Sequence, residues 1–203
     1  MSSWLLGGDR DSAARTALYS ALAWLILAPL LGAFISVQMI SPEWYRAINP
    51  VDTLSFGRLR PTHVLGTSFG FVSVAFLAAF FFVVPRLLRT SLWSERLGVI
   101  SVWLWNAAVL VGICLIAAGY TQGREWGEFP YVIDVAMIVV LALVAVNMMS
   151  TVRQRRERQL YVSLWYIIGS VFWVAIVTIV GNAMWNFPTG AVRGVNDAAL
   201  NWF

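Results

Sequence analysis

Phe56-Gly57-Arg58-Leu59-Arg60-Pro61-Thr62-His63 opens a run that carries no further charged residue until Arg86. That run is long enough to cross a bilayer, which takes about 20 apolar residues, so the segment reads as a transmembrane helix with the chain's single histidine at its mouth. Such a helix excludes charge, but a neutral imidazole near its end can give a nitrogen lone pair to a metal or a heme iron. Arginines three and five residues before it suit carboxylates. The competing reading is an ordinary polar residue anchoring a helix end at the interface.

The rest of the chain extends the same pattern. Sixty percent of its residues are hydrophobic and 12% are charged, and the mean hydropathy is +0.74, values that describe an integral membrane protein. Five spans are expected, at about 16–40, 63–84, 97–118, 131–149 and 161–184. The fourth is the weakest because Asp134 falls in its first turn. No alternating barrel pattern is visible, so the expected fold is all-α: one helical membrane bundle over 1–203, with short loops and no internal repeat. Pro29 is expected to kink the first span. The small residues Gly66, Ser68, Gly70, Ser73, Ala75, Ala78 and Ala79 would admit a close helix neighbour or a flat macrocycle, ordinary helix packing being the simpler use.

All 14 basic residues are arginines. Nine of them (Arg10, Arg15, Arg86, Arg89, Arg96, Arg153, Arg155, Arg156, Arg158) share the side of the N-terminus, against five (Arg46, Arg58, Arg60, Arg124, Arg193) on the other. The N-terminus is therefore expected in the cytoplasm and the C-terminus outside, with the first span a retained signal anchor. The cluster from Arg153 to Arg158 lies between two spans, which points to topology and lipid headgroups rather than nucleic acid. Cys114, the only cysteine, is expected as a small core residue. A CxxCH heme attachment, a zinc cluster, a phosphate loop and an HExxH motif are all absent from the sequence.

The 56–63 segment resembles FGRLRPLHT, which opens the second transmembrane helix of the catalytic subunit of cbb3-type cytochrome c oxidases, in the heme-copper oxidase superfamily. Further stretches are similar in the same order. Glu125-Trp126-Gly127-Glu128 with Ile133-Asp134 resembles KEYAELEWPID, Tyr161-Val162-Ser163-Leu164-Trp165 resembles YVGNWF, and Asn196-Asp197 with Asn201-Trp202-Phe203 resembles TDA-QWW. The chain departs from the family at Val64-Leu65-Gly66 and at Thr178-Ile179-Val180-Gly181-Asn182.

The resemblance implies that the five spans are the N-terminal part of a twelve-helix fold, in a fragment or one half of a split subunit that is inactive by itself. It implies that His63 is an axial ligand of low-spin heme b, that Arg60, with Arg58 second, serves the heme propionates, and that Glu125 meets a structural calcium ion. Glu128 is a second acid in that loop, expected to be solvated. In the complete subunit a high-spin heme and copper would reduce oxygen to water and pump protons in the bacterial inner membrane, their ligands lying beyond Phe203. Electrons would come from cytochrome c through heme-c-bearing subunits, and the remaining C-terminal part of the subunit is an implied partner. A nitric oxide reductase subunit and a non-enzymatic five-helix scaffold or transporter component are the alternatives.

Overall fold

The computed structural model describes residues 3–41, 43–44, 47, 52–122 and 126–183. Glu125 and the 196–203 stretch lie outside them. Among the described residues the chain is helical without strands, and five helices are long and apolar enough to cross a membrane. They are α1 (Ser12–Ile40), α2 (Phe56–Leu87), α3 (Glu95–Ala117), α4 (Tyr131–Arg153) and α5 (Val162–Thr178, continued by a π turn over Ile179–Ala183).

α2 and α4 begin and end outside the uncharged runs that announce them. α2 starts at Phe56, with Ser55 as its N-cap, so His63 lies about two turns inside the helix rather than at its mouth. Arginine permits this, because its long side chain reaches back to the polar interface while the backbone stays helical. Pro61 lacks an N–H and leaves the Gly57 carbonyl without its usual helical donor.

α3 and α4 are the inner helices. They carry most of the core, with Val102, Trp105, Val109 and Ile116 on one facing Phe129, Met137, Val140 and Val144 around the other. Gly112 lets Phe129 in, since a Cβ there would lie 2.4 Å from the ring. Cys114 is exposed, contrary to the expectation of a core residue. The buried stripe of α3 runs through Gly112, Ile113 and Ile116, and Cys114 falls on the opposite side. α1 and α5 are peripheral, with only 17% of their apolar windows buried. α1 packs through small residues, Ala13, Ala14, Ala17, Ala21 and Ala28, which allow close helix approach.

Polar side chains pin the end of the bundle where α1 begins. Asn147, fully buried, accepts from Ser94 N–H at 3.1 Å and donates to the Ser94 carbonyl at 2.9 Å. Thr151 Oγ1 accepts from Trp93 N–H at 3.0 Å. Glu95 accepts from the backbone N–H groups of Asp11 and Ala13, both at 2.9 Å, and so places a carboxylate on the amino end of α1, where unpaired donors and the helix dipole favour it. Asp11 itself takes both arms of the Arg86 guanidinium, at 3.1 and 2.9 Å. That charged hydrogen bond holds the Asp11 carboxyl below the ordinary carboxylate range, against the opposing effect of partial burial. Because the folded-state pKa is depressed, the stabilisation is present above the unfolded carboxylate range and disappears as pH falls through the lowered value.

Candidate functional site: a histidine held against the first helix

α2 is interrupted by a π turn over Gly66–Val72, beginning three residues beyond His63. Trp24 of α1 is wedged beside it. A Cβ on Gly70 would lie 2.5 Å from the Trp24 ring, and one on Gly66 would lie 3.6 Å from the same ring. The indole N–H of Trp24 donates to Asn106 Oδ1 on α3 at 2.7 Å, and the Trp105 N–H donates to the Phe69 carbonyl inside the π turn at 2.8 Å. The glycines therefore serve helix packing, with a tryptophan seated on both. Widened turns of this kind are frequent at functional sites, and this one braces α2 close to the histidine.

His63 is half-buried and its ring faces α1. Its Nδ1 lies 2.7 Å from the Ala28 carbonyl oxygen. An oxygen of that kind only accepts, so Nδ1 is the donor of this bond, which in the neutral ring leaves the lone pair on Nε2. Gly32, one turn along, makes the approach possible: a Cβ there would lie 2.6 Å from Cε1, 2.9 Å from Nδ1 and 3.1 Å from Nε2. The imidazole thus occupies a notch that any side chain on Gly32 would fill. A ring fixed in this tautomer by a backbone carbonyl is the arrangement in which imidazole ligates a metal through its other nitrogen, so the residues present fit an axial heme ligand.

The two arginines separate. Arg60 is exposed and three residues before His63, hence a neighbour on the same helix surface. Arg58 turns toward the end of α3, where its Nη1 donates to the Ala117 carbonyl at 3.1 Å and the guanidinium lies over Gly119. Gly119, at φ 98°, is in the left-handed region that favours glycine. The structure therefore brings Arg60, but not Arg58, to the His63 side of α2.

The loop after α3 is tied down by its own side chains. Thr121 Oγ1 and Gln122 N–H both donate to the Glu128 carbonyl, at 3.0 and 3.2 Å. Gln122 Nε2 donates to Asp134 Oδ2 at 2.7 Å and also to the Phe129 carbonyl. Glu128 is buried, at 7% exposure, rather than solvated. The cause is Phe129, whose ring is driven into the core beside Gly112 and Phe69 and draws its neighbour inward. Asp134, the residue that weakened the fourth span, is 1% exposed and satisfied within this loop. Among the described residues no three His, Cys, Asp or Glu side chains converge on a metal position.

Five helices long and apolar enough to cross a membrane, with the imidazole of the second held against the first, describe a multi-pass membrane protein with a candidate cofactor-binding face. The chain belongs to the family described as Cytochrome C and Quinol oxidase polypeptide I, which matches it over residues 12–203. It is thereby a relative of subunit I of the heme-copper oxidases, and its five helices are consistent with the N-terminal part of that fold. It is 28% identical over 188 residues to the Cbb3-type cytochrome c oxidase subunit CcoN1 of Stutzerimonas stutzeri, covering 90% of this chain and 39% of that protein. It is 28% identical over 200 residues to Cytochrome c oxidase subunit 1 of Rhodobacter capsulatus, covering 95% and 37%. A Cytochrome c oxidase subunit 1 homolog of Agrobacterium tumefaciens (strain T37) is 26% identical over 172 residues, covering 85% and 31%. The chain spans between about a third and two fifths of the length of these relatives.

Proposed function

We propose that this chain is the N-terminal portion of the catalytic subunit of a cbb3-type terminal oxidase, and that His63 Nε2 is an axial ligand of its low-spin heme b. The observation that carries the reading is the His63 Nδ1–H bond to the Ala28 carbonyl, because a histidine that merely anchored a helix end would turn its nitrogens to water or headgroups. When bound, the heme supplies a one-electron carrier between cytochrome c, reached through heme-c-bearing subunits, and a heme-copper centre elsewhere in the subunit that reduces oxygen to water with proton pumping. The chain's own residues do the holding. α1 fixes the imidazole plane and keeps its inner nitrogen protonated. Arg60 offers a fixed, permanently charged fork to the heme propionates, and Glu125 is a hard oxygen donor for a calcium ion near them. A further iron ligand would come from another part of the subunit. The exposed aromatic and aliphatic face of α5, with Trp165, Tyr166 and Trp173, is then covered by the remaining helices or by lipid.

The test is catalytic and spectral together. The subunit carrying this chain, assembled with its partners, should consume oxygen with reduced cytochrome c and show a low-spin b-heme band in the reduced-minus-oxidised spectrum. The isolated 1–203 polypeptide should consume none. Turnover of nitric oxide in place of oxygen would reassign the subunit to the reductase branch, and absence of any heme band would end the oxidase reading.

The arginine count assigns the end holding Arg86, Arg89 and Arg156 to the cytoplasm of a bacterial inner-membrane protein. In a Cys114→Ala background, Gln154→Cys should react with a membrane-impermeant maleimide only after the cells are opened, and Tyr120→Cys should react in intact cells. The opposite pattern inverts the topology.

A further inference from the structure

At the end of the bundle opposite to His63, four arginines from three separate stretches of chain line one recess: Arg10 before α1, Arg86 and Arg89 at the end of α2, and Arg156 after α4, with Thr90 and Ser91 between them. The recess measures about 510 Å³, within the range of small-ligand clefts. Backbone bonds bring the arginines together. Arg156 N–H donates to the Leu88 carbonyl at 3.0 Å, which lays the 154–158 loop across the end of α2, and Thr90 N–H closes back onto the Pro85 carbonyl at 2.9 Å. Between them Arg89 sits at φ 52°, in the left-handed position that usually falls to glycine or asparagine. An arginine held there is strained backbone, and it aims a cation into the recess.

The charges do not cancel. Arg86 is matched by Asp11, and Arg89 lies 3.6 Å from Glu157. Arg10 and Arg156 make no ion pair among the described residues, so two cations remain unbalanced at the mouth. The recess also meets the apolar surface: Arg86 lies 3.5 Å above the ring of Phe82, which is 47% exposed on the flank of α2. A ligand suited to this place has an anionic head and an acyl tail.

We propose that this recess binds the phosphate of an anionic phospholipid, with Arg10 and Arg156 as its principal cationic contacts, Arg86 and Arg89 contributing field, and the acyl chains lying along Phe82. The site is independent of the heme assignment. The purified subunit in its native complex, reconstituted in nanodiscs of phosphatidylcholine with graded phosphatidylglycerol, should retain phosphatidylglycerol preferentially by native mass spectrometry. Each arginine near a membrane surface is worth about fivefold in affinity, so Arg10→Gln with Arg156→Gln should weaken retention by about 25-fold. Neither residue is buried or paired, so the double variant keeps its fold, which its thermal unfolding checks. Arg153→Gln with Arg158→Gln removes the same charge from the same end but outside the recess and should weaken retention much less. Equal losses in the two double variants would overturn the proposal, because the effect would then be general surface charge. A recess filled by inorganic phosphate at millimolar concentration, with no preference for phosphatidylglycerol, would also overturn it.

Discussion

Replacing His63 by Leu in the assembled subunit should, on the proposed reading, abolish the low-spin b-heme absorbance and with it electron entry. Leucine fills much of the same space and suits an apolar helix, so insertion and assembly persist while the only imidazole nitrogen of the chain is lost. The proposed heme would then lose the one nitrogen lone pair that this stretch of α2 can supply. Arg60→Lys should retain the heme. Lysine keeps the charge and gives up the planar fork, so the expected change is a shifted midpoint potential and slower reduction by cytochrome c. The difference spectrum and a redox titration read both variants. A His63→Leu enzyme with an unaltered low-spin spectrum would refute the ligand assignment, and the anchor reading would take its place.

The second large effect lies on the other helix. Gly32→Val should strip most of the low-spin heme without touching a ligand, because a Cβ at that position would stand 2.6 Å from His63 Cε1, and the imidazole must leave both its notch and the Ala28 carbonyl. Gly32→Ala should give an intermediate result, with a broadened low-spin electron paramagnetic signal as the ring loses its fixed orientation. Overpacking of this kind typically costs about 1–3 kcal/mol, too little to prevent folding of a large bundle. Gly169→Ala on α5 is the control, since its Cβ would meet nothing within 4 Å, and it should be silent or slightly stabilising. If Gly32→Val leaves the spectrum unchanged while His63→Leu removes it, the ligand assignment stands and the role of α1 in holding it falls.

The spans were legible because hydrocarbon excludes charge so strongly that runs such as 63–84 mark themselves. Helix ends were less so: arginine side chains that reach back to the interface let α2 begin seven residues upstream of its apolar run. Relations between helices were invisible. Nothing in a linear pattern says that Gly32 faces His63, that the Ala28 carbonyl rather than water accepts its hydrogen bond, or that Glu95 serves the start of α1, since each depends on the register of one helix against another. Glu128 and Cys114 were misjudged for a related reason. Residue type argued for solvent in one case and for core in the other, but the burial of Phe129 and the stripe of α3 decided both. For Gly32 a usable signal existed: a glycine in the middle of an apolar helix costs stability unless something sits against it.

The carboxylate of Glu95 on the amino end of α1 has a consequence for how the protein is made. Its bonds to Asp11 and Ala13 reach across 84 and 82 positions of sequence, and α1 leaves the ribosome before α3 does. During synthesis the leading helix therefore enters the bilayer with its first backbone donors served only by water, and with a flank of alanines that has nothing yet to lie against. α2 and the start of α3 must follow before that end is closed. A helix made earlier is thus secured only when the start of α3 arrives, so the hold that α1 provides for the imidazole depends on a partner made after it.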